Sequence, residues 1–204
     1  MYPHEHLGEL GSDPPQDDDR TIILIKRCEQ TLRPMTRVLI LFAHPALEKS
    51  RVNRRLADAV RDLEGVTFHD LYEAYPDFDV DVAREQRLLV EHQVVVLQHP
   101  FFWYSTPPLV KQWEDLVLEH GWAYGKGGDR LTGKRMMLAV TAAGPREAYT
   151  EQGYQHYPLR TFLTPLEQTA RLCHMTFSAP YVLFEALQAP DDGRLAGHVA
   201  GYRR

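Results

Sequence analysis

Val94–Trp113 reads VVVLQHPFFWYSTPPLVKQW. It opens on four apolar residues, Val94-Val95-Val96-Leu97, the composition of a strand buried on both faces of a parallel sheet. Gln98-His99-Pro100 breaks the run, and four large rings follow, Phe101-Phe102-Trp103-Tyr104. Pro107-Pro108 then opens a helical pattern over Leu109–Leu118, with proline where a helix has no use for an N–H. A strand, an aromatic loop and a helix in that order place the loop at the carboxyl edge of a sheet, where open α/β folds bind their ligands. Four consecutive bulky rings cannot all enter one core, so part of the loop faces a ligand or a partner subunit. The loop reads as a platform for a flat, aromatic cofactor. Trp113, on the following helix, reads as a packing residue.

Outward from this stretch the same alternation repeats. Val38–Ala43 (VLILFA) is a second doubly buried strand. Ser50 is a good N-cap for a helix through Val52, Leu56, Ala59, Val60 and Leu63, ended by Gly65. Val66–Leu71 is a strand, Tyr72–Asp81 a loop and Val82–Glu91 a helix. His120–Gly133 is a glycine-rich irregular loop, and Met136–Thr141 is a fourth strand. A helix over Leu159–Cys173, a fifth strand within Met175–Val182 broken by Pro180, and a short helix from Arg194 to Tyr202 complete the chain. Strands and helices alternating at this spacing predict an α/β, flavodoxin-like fold: a five-stranded parallel sheet of order 2-1-3-4-5 with helices on both faces and right-handed crossovers. A small Rossmann fold is the alternative. The first strand-to-helix turn lacks Gly-x-Gly-x-x-Gly, and no Gly-x-x-x-x-Gly-Lys-Ser/Thr occurs, so the dinucleotide and P-loop fingerprints are both absent.

The 204 residues, 44% hydrophobic and 25% charged, suit one globular domain with a sizeable core. A formal net charge of −5 argues against a nucleic-acid partner. No apolar run approaches the roughly 20 residues that span a bilayer, and the N-terminus lacks the basic-then-apolar order of a secretory signal. Two cysteines, Cys28 and Cys173, form no framework and are expected reduced in a cytoplasmic protein. Residues 1–35 read as an N-terminal extension to a domain over 36–204. Its Gly8–Asp19 segment is polar, and Thr21–Cys28 is apolar without a decisive period. Met35 as the biological start, or an arm packed on a partner subunit, are the two readings of that extension. His4 and His6 have no third ligand nearby, and no metal site is expected.

Three loops share the carboxyl edge. The first, His44–Asn53, leads into a helix N-terminus whose free N–H groups and positive dipole suit a phosphate, with Ser50, Asn53 and His44 as added donors; Ser50 as a plain helix cap is the equal alternative. The second is Pro100–Tyr104. The third, Thr141–His156, has Gly144 where a backbone must come close, and Tyr149 and His156 as a phenol and an imidazole able to donate to a developing anion.

HPALEKSRVNRRL, DLYEAYPDFDVDVAREQ, VLQHPFFWYSTPPLVKQWEDLVLEHGWAYGKGG and LTGKRMMLAVTAAG together make the chain from Thr36 onward resemble the flavodoxin-fold NAD(P)H:quinone oxidoreductases of the DT-diaphorase type. It is especially similar to the ancillary flavoproteins of the glutathione-gated potassium-efflux (Kef) systems. The resemblance implies a bound FMN, with FAD as the alternative, and NAD(P)H as co-substrate. It puts His44, Ser50, Val52 and Asn53 at the phosphate and ribityl chain. Pro100, Phe101, Phe102, Trp103 and Tyr104 would line the isoalloxazine, with Thr141 and Gly144 at its other edge. The family's Thr-x-Gly-Gly is Thr141-Ala142-Ala143-Gly144 here. Its Tyr…Gln-Gly…His pair for hydride transfer corresponds to Tyr149, Gln152-Gly153 and His156, with one extra residue before the histidine. The implied activity is two-electron transfer from NAD(P)H through the flavin to a quinone or similar electrophile, in a homodimer with flavin sites at the subunit interface. A regulatory role as ancillary subunit of a membrane potassium-efflux transporter, at the inner face of the membrane, is the alternative function. A flavin-free structural homologue is the third reading.

Overall fold

The computed structural model describes residues 36–204. The N-terminal extension, with Thr21–Cys28, His4 and His6, lies outside the described residues.

Six strands form one sheet: β1 Val38–Phe42, β2 Val66–Asp70, β3 Val94–Pro100, β4 Arg135–Thr141, β5 Thr176–Phe177 and β6 Tyr181–Leu183. All pairings are parallel and the order is β2-β1-β3-β4-β5, with β6 also on β4. The expected order 2-1-3-4-5 is therefore the observed one. The fifth strand is two short pieces on the same edge of β4, at Arg135–Met136 and at Ala139–Thr141. Pro180 has no N–H for the ladder, so pairing lapses before it and resumes at Tyr181.

Seven α-helices accompany the strands among the described residues: α1 Arg51–Val60, α2 Leu71–Ala74, α3 Val82–Glu91, α4 Pro108–Val117, α5 Leu159–Phe162, α6 Thr164–Leu172 and, after the last strand, α7 Arg194–Tyr202. Two differ from the sequence reading. Strand β2 stops at Asp70, whose side chain accepts the N–H groups of Tyr72 and Glu73 at 3.0 and 3.2 Å and so starts α2 inside the expected loop. The expected helix over Leu159–Cys173 is two helices. Pro165 cannot donate to the Thr161 carbonyl, which accepts the Thr164 hydroxyl instead.

Alternation along β1 separates the two faces of the sheet. Leu39 and Leu41 join Leu89, Leu109, Trp113 and Leu166 under α3, α4 and α6. Ile40 packs with Val60, Val96 and Ala139 on the α1 side. Val52, Leu56, Leu183 and Leu195 form a further cluster that seats α7 against α1. Beneath α3, Glu85 is fully buried and accepts three hydrogen bonds or ion-pair contacts: His69 Nε2 at 2.8 Å, Tyr75 Oη at 2.5 Å and Trp113 Nε1 at 2.9 Å. It ties β2, α3 and α4 together, and so fixes the helix that leaves the aromatic loop.

Candidate active site

The carboxyl ends of β1, β3 and β4 stand side by side, with Phe42 opposite Gln98 and Pro100 opposite Thr141. Backbone bonds continue past the strands. The Ala43 N–H donates to Gln98 O at 2.9 Å and the Phe101 N–H to Thr141 O at 2.8 Å. The three loops thus share one rigid base.

In the first loop the Ala46 N–H donates to His44 Nδ1 at 3.1 Å. That bond fixes the tautomer, leaving Nε2–H as a donor. Burial pulls the His44 imidazole below its ordinary pKa, with Glu48 opposing, so the ring is neutral at pH 7. Ser50 is indeed the N-cap of α1, accepting from the Asn53 N–H at 3.1 Å. The Asn53 amide nitrogen reaches both Ser50 Oγ (3.3 Å) and Thr141 Oγ1 (3.1 Å), joining the first loop to the third. Its other end, Asn53 Oδ1, is buried with no partner.

The second loop is a tight turn. Phe102 and Ser105 exchange backbone hydrogen bonds at 3.0 and 2.9 Å, and the two residues between them have positive φ, Trp103 at 46° and Tyr104 at 66°. Paired positive φ is the signature of a type I′ turn, usually built from Asn-Gly. Bulky residues there carry strain of order 1–3 kcal/mol each. The turn splits the four rings. Phe101 is buried against Tyr149 and Phe162, Tyr104 stacks on Phe162 with centroids 5.2 Å apart, Phe102 meets the His44 ring edge-on at 6.0 Å, and Trp103 is 92% exposed.

A cavity of about 370 Å³ opens at this edge. It collects His44, Ser50, Val52, Asn53, Pro100, Phe101, Phe102 and Thr141, eight of the thirteen residues selected from sequence. Trp103 and Tyr104 lie beyond it on the turn. Gly144 and Tyr149 do not line it. Gly144 follows the lining residue Ala143, and an added methyl group on it would lie 3.2 Å from Tyr149 Cε2 and 3.4 Å from its hydroxyl. Tyr149 lines a separate cavity of about 300 Å³ with Arg146, Leu159 and Phe184. Burial, and then the nearby Tyr154 and Tyr104 phenols, raise the Tyr149 hydroxyl above its ordinary pKa and keep it a donor. His156 is exposed at φ 61° and makes no side-chain hydrogen bond among the described residues. The cavity also includes Ala143, Ala186, Leu187 and Pro190. The last three sit after β6, whose loop reaches the same edge. Their apolar, uncharged sequence gave no signal beyond that topology.

A second cavity, about 380 Å³ between α4 and α6, holds His99, Glu114 and Cys173. Burial pushes His99 down to about 4, Glu114 up to about 7 and Cys173 up to about 11. It includes the start of α6 at Leu163 and Pro165, but that end has no side-chain cap, Pro165 has no N–H to offer and the acids Glu114 and Asp115 share the lining, so the first cavity is the better candidate for a phosphorylated flavin.

Residues 36–204 match the family model described as the flavodoxin-like fold. The chain belongs to this flavodoxin-like family. Among its relatives is the glutathione-regulated potassium-efflux system ancillary protein KefG of Yersinia enterocolitica, 45% identical over 81% of this chain and 90% of that protein. Three solved structures are also similar. A chain described as thermophilic tryptophan halogenase from Streptomycin violaceusniger is 45% identical, with a TM-score of 0.79 over 81% of this chain and 95% of that one. General stress protein 14 of Treponema denticola, in complex with FMN, is 36% identical, with a TM-score of 0.75 over 81% and 97%. A NADPH-quinone reductase from P. pentosaceus is 26% identical, with a TM-score of 0.75 over 82% and 96%.

The donor set fits a phosphorylated flavin. The α1 N-terminus and His44 Nε2–H are donors for a phosphate, whereas the orphaned Asn53 Oδ1 is an acceptor and suits a ribityl hydroxyl. Phe101 and Phe102 give the cavity an aromatic wall.

Proposed function

We propose that this protein is an FMN-dependent NAD(P)H oxidoreductase that passes two electrons to a quinone or similar electrophile. The observation that carries the reading is the cavity at the carboxyl edge, where a helix N-terminus, the unpaired Asn53 Oδ1 and an aromatic wall converge. The FMN complex of general stress protein 14 and the NADPH-quinone reductase likeness support it.

In this reading the first turn of α1 and His44 Nε2–H hold the phosphate. Asn53, braced by Ser50 and Thr141, sets the ribityl chain. Pro100–Phe102 form the wall beside the ring, and the Phe101 N–H···O=C Thr141 bond keeps that wall in register with the third loop. A bound flavin supplies a reversible carrier of a hydride equivalent. Tyr149, protonated at neutral pH, donates to negative charge that develops at the edge beside Gly144. Trp103 and Tyr104, beyond the cavity on the exposed turn, face the partner of a homodimer that completes the site.

Tyr149→Phe is expected to lower quinone reduction by about 10²-fold while the protein keeps its flavin. Steady-state kinetics on the purified yellow protein measures this, and full activity in the variant contradicts the role.

A second reading, an ancillary subunit of a potassium-efflux system at the inner membrane face, is supported by the 45% identity to KefG. Among the described residues no helix is long and apolar enough to cross a membrane, so such a role requires docking on a separate transporter. Electrophile-triggered potassium efflux, measured in cells with and without this protein, tests it; identical efflux contradicts it.

A further inference from the structure

Tyr154 is a residue that neither the family pattern nor the spacing of the third loop singles out. Its ring is 65% exposed. A methyl group added to Gly144 would lie 3.1 Å from Tyr154 Oη and 3.4 Å from Tyr149 Oη. Both phenol oxygens therefore lie beside Gly144, on the side of its backbone that a side chain would occupy.

The backbone explains how Tyr154 arrives there. Gly153 N–H donates to Thr150 O and to Thr150 Oγ1, and Gln155 N–H donates back to Ala148 O at 3.1 Å. The chain folds so tightly that a side chain at Gly153 would meet Ala148 O at 2.3 Å and Glu147 O at 2.4 Å. Only glycine permits this approach. The fold-back carries residue 154 over Gly144 and leaves His156, two residues further, exposed at φ 61°. The extra residue between Gly153 and the histidine is what separates His156 from this position.

We propose that Tyr154 is the partner of Tyr149: the two phenols form a paired donor for a carbonyl oxygen of the quinone-class acceptor, in the place the resemblance gives to His156. The proposal rests on the flavin-dependent reading above. Two O–H donors side by side can stabilise an oxygen gaining negative charge between them.

The test uses the purified holoprotein with 1,4-naphthoquinone as probe. Binding to the oxidised protein is followed by tryptophan fluorescence without NAD(P)H, and reduction by kcat/KM with NADPH. Tyr154→Phe is expected to weaken naphthoquinone binding about fivefold and to lower kcat/KM about tenfold. Its FMN affinity and melting temperature stay at the wild-type values, because the exposed ring is retained. His156→Ala is expected to change neither quantity by more than about twofold. Unchanged binding and kcat/KM in Tyr154→Phe, or a larger loss in His156→Ala, overturns the proposal while leaving the flavin reading intact. Wild-type protein that retains no FMN overturns the flavin reading, and the proposal with it.

Discussion

Trp103 carries the most exposed large ring of the described chain on a backbone that a tryptophan rarely adopts. With 92% of its surface in water it gains little from packing, so the strain of φ 46° is uncompensated by the fold. Trp103→Gly relieves it, and the flavin-free protein is expected to gain about 1 kcal/mol in urea unfolding while its FMN affinity falls. A loss of stability in that variant contradicts the reading of the turn as strained for function. Tyr104 is a different case, since its stacking on Phe162 offsets part of the same strain. The sequence shows four rings and no feature of a type I′ turn, because the usual Asn-Gly is missing. The loop's place at the carboxyl edge was legible; its backbone was not. Tyr154 escaped notice for a related reason. Its placement depends on a close approach of Gly153 to Ala148 and Glu147 that no spacing rule reveals.

At the level of elements, α4 is held by more than its apolar face. Trp113 Nε1, Tyr75 Oη and His69 Nε2 all close on the Glu85 carboxylate, which the helical pattern of Val82–Glu91 disguised as a surface residue. Burial alone would raise the Glu85 pKa. Hydrogen bonds from His69, Tyr75 and Trp113, with the His69 charge, outweigh it and hold the carboxyl below its ordinary value. A depressed folded-state pKa gives stability that is present above the unfolded value, about 4.3, and is lost as pH falls through the folded one. Urea midpoints are therefore expected to fall as pH drops below about 4.3, and less so in Glu85→Gln. Glu85→Ala leaves three buried donors unpaired and is expected to cost about 3–5 kcal/mol at pH 7. Wild-type-like unfolding of that variant contradicts the network. Helices and strands with clean periods were readable from sequence. Their interruptions followed single residues: Pro165 divides the last long helix, Pro180 divides the edge strand, and Asp70 starts α2 early.

For the whole molecule, the sheet order makes three sequence-distant loops neighbours, and two backbone bonds and the Asn53–Thr141 contact lock them together. That convergence was legible because parallel strands send every carboxyl-end loop to one edge. The wall of Ala186, Leu187 and Pro190 was not, since those three side chains carry no polar or aromatic mark. The central claim is that this edge holds FMN by its phosphate at the α1 N-terminus. Flavin-fluorescence titration of the flavin-free protein with FMN and with riboflavin, which lacks the phosphate, tests it most directly. The account predicts saturation at one FMN per chain, with riboflavin weaker by about 10²-fold or more. Equal affinity for the two flavins, or no binding of FMN, would contradict it.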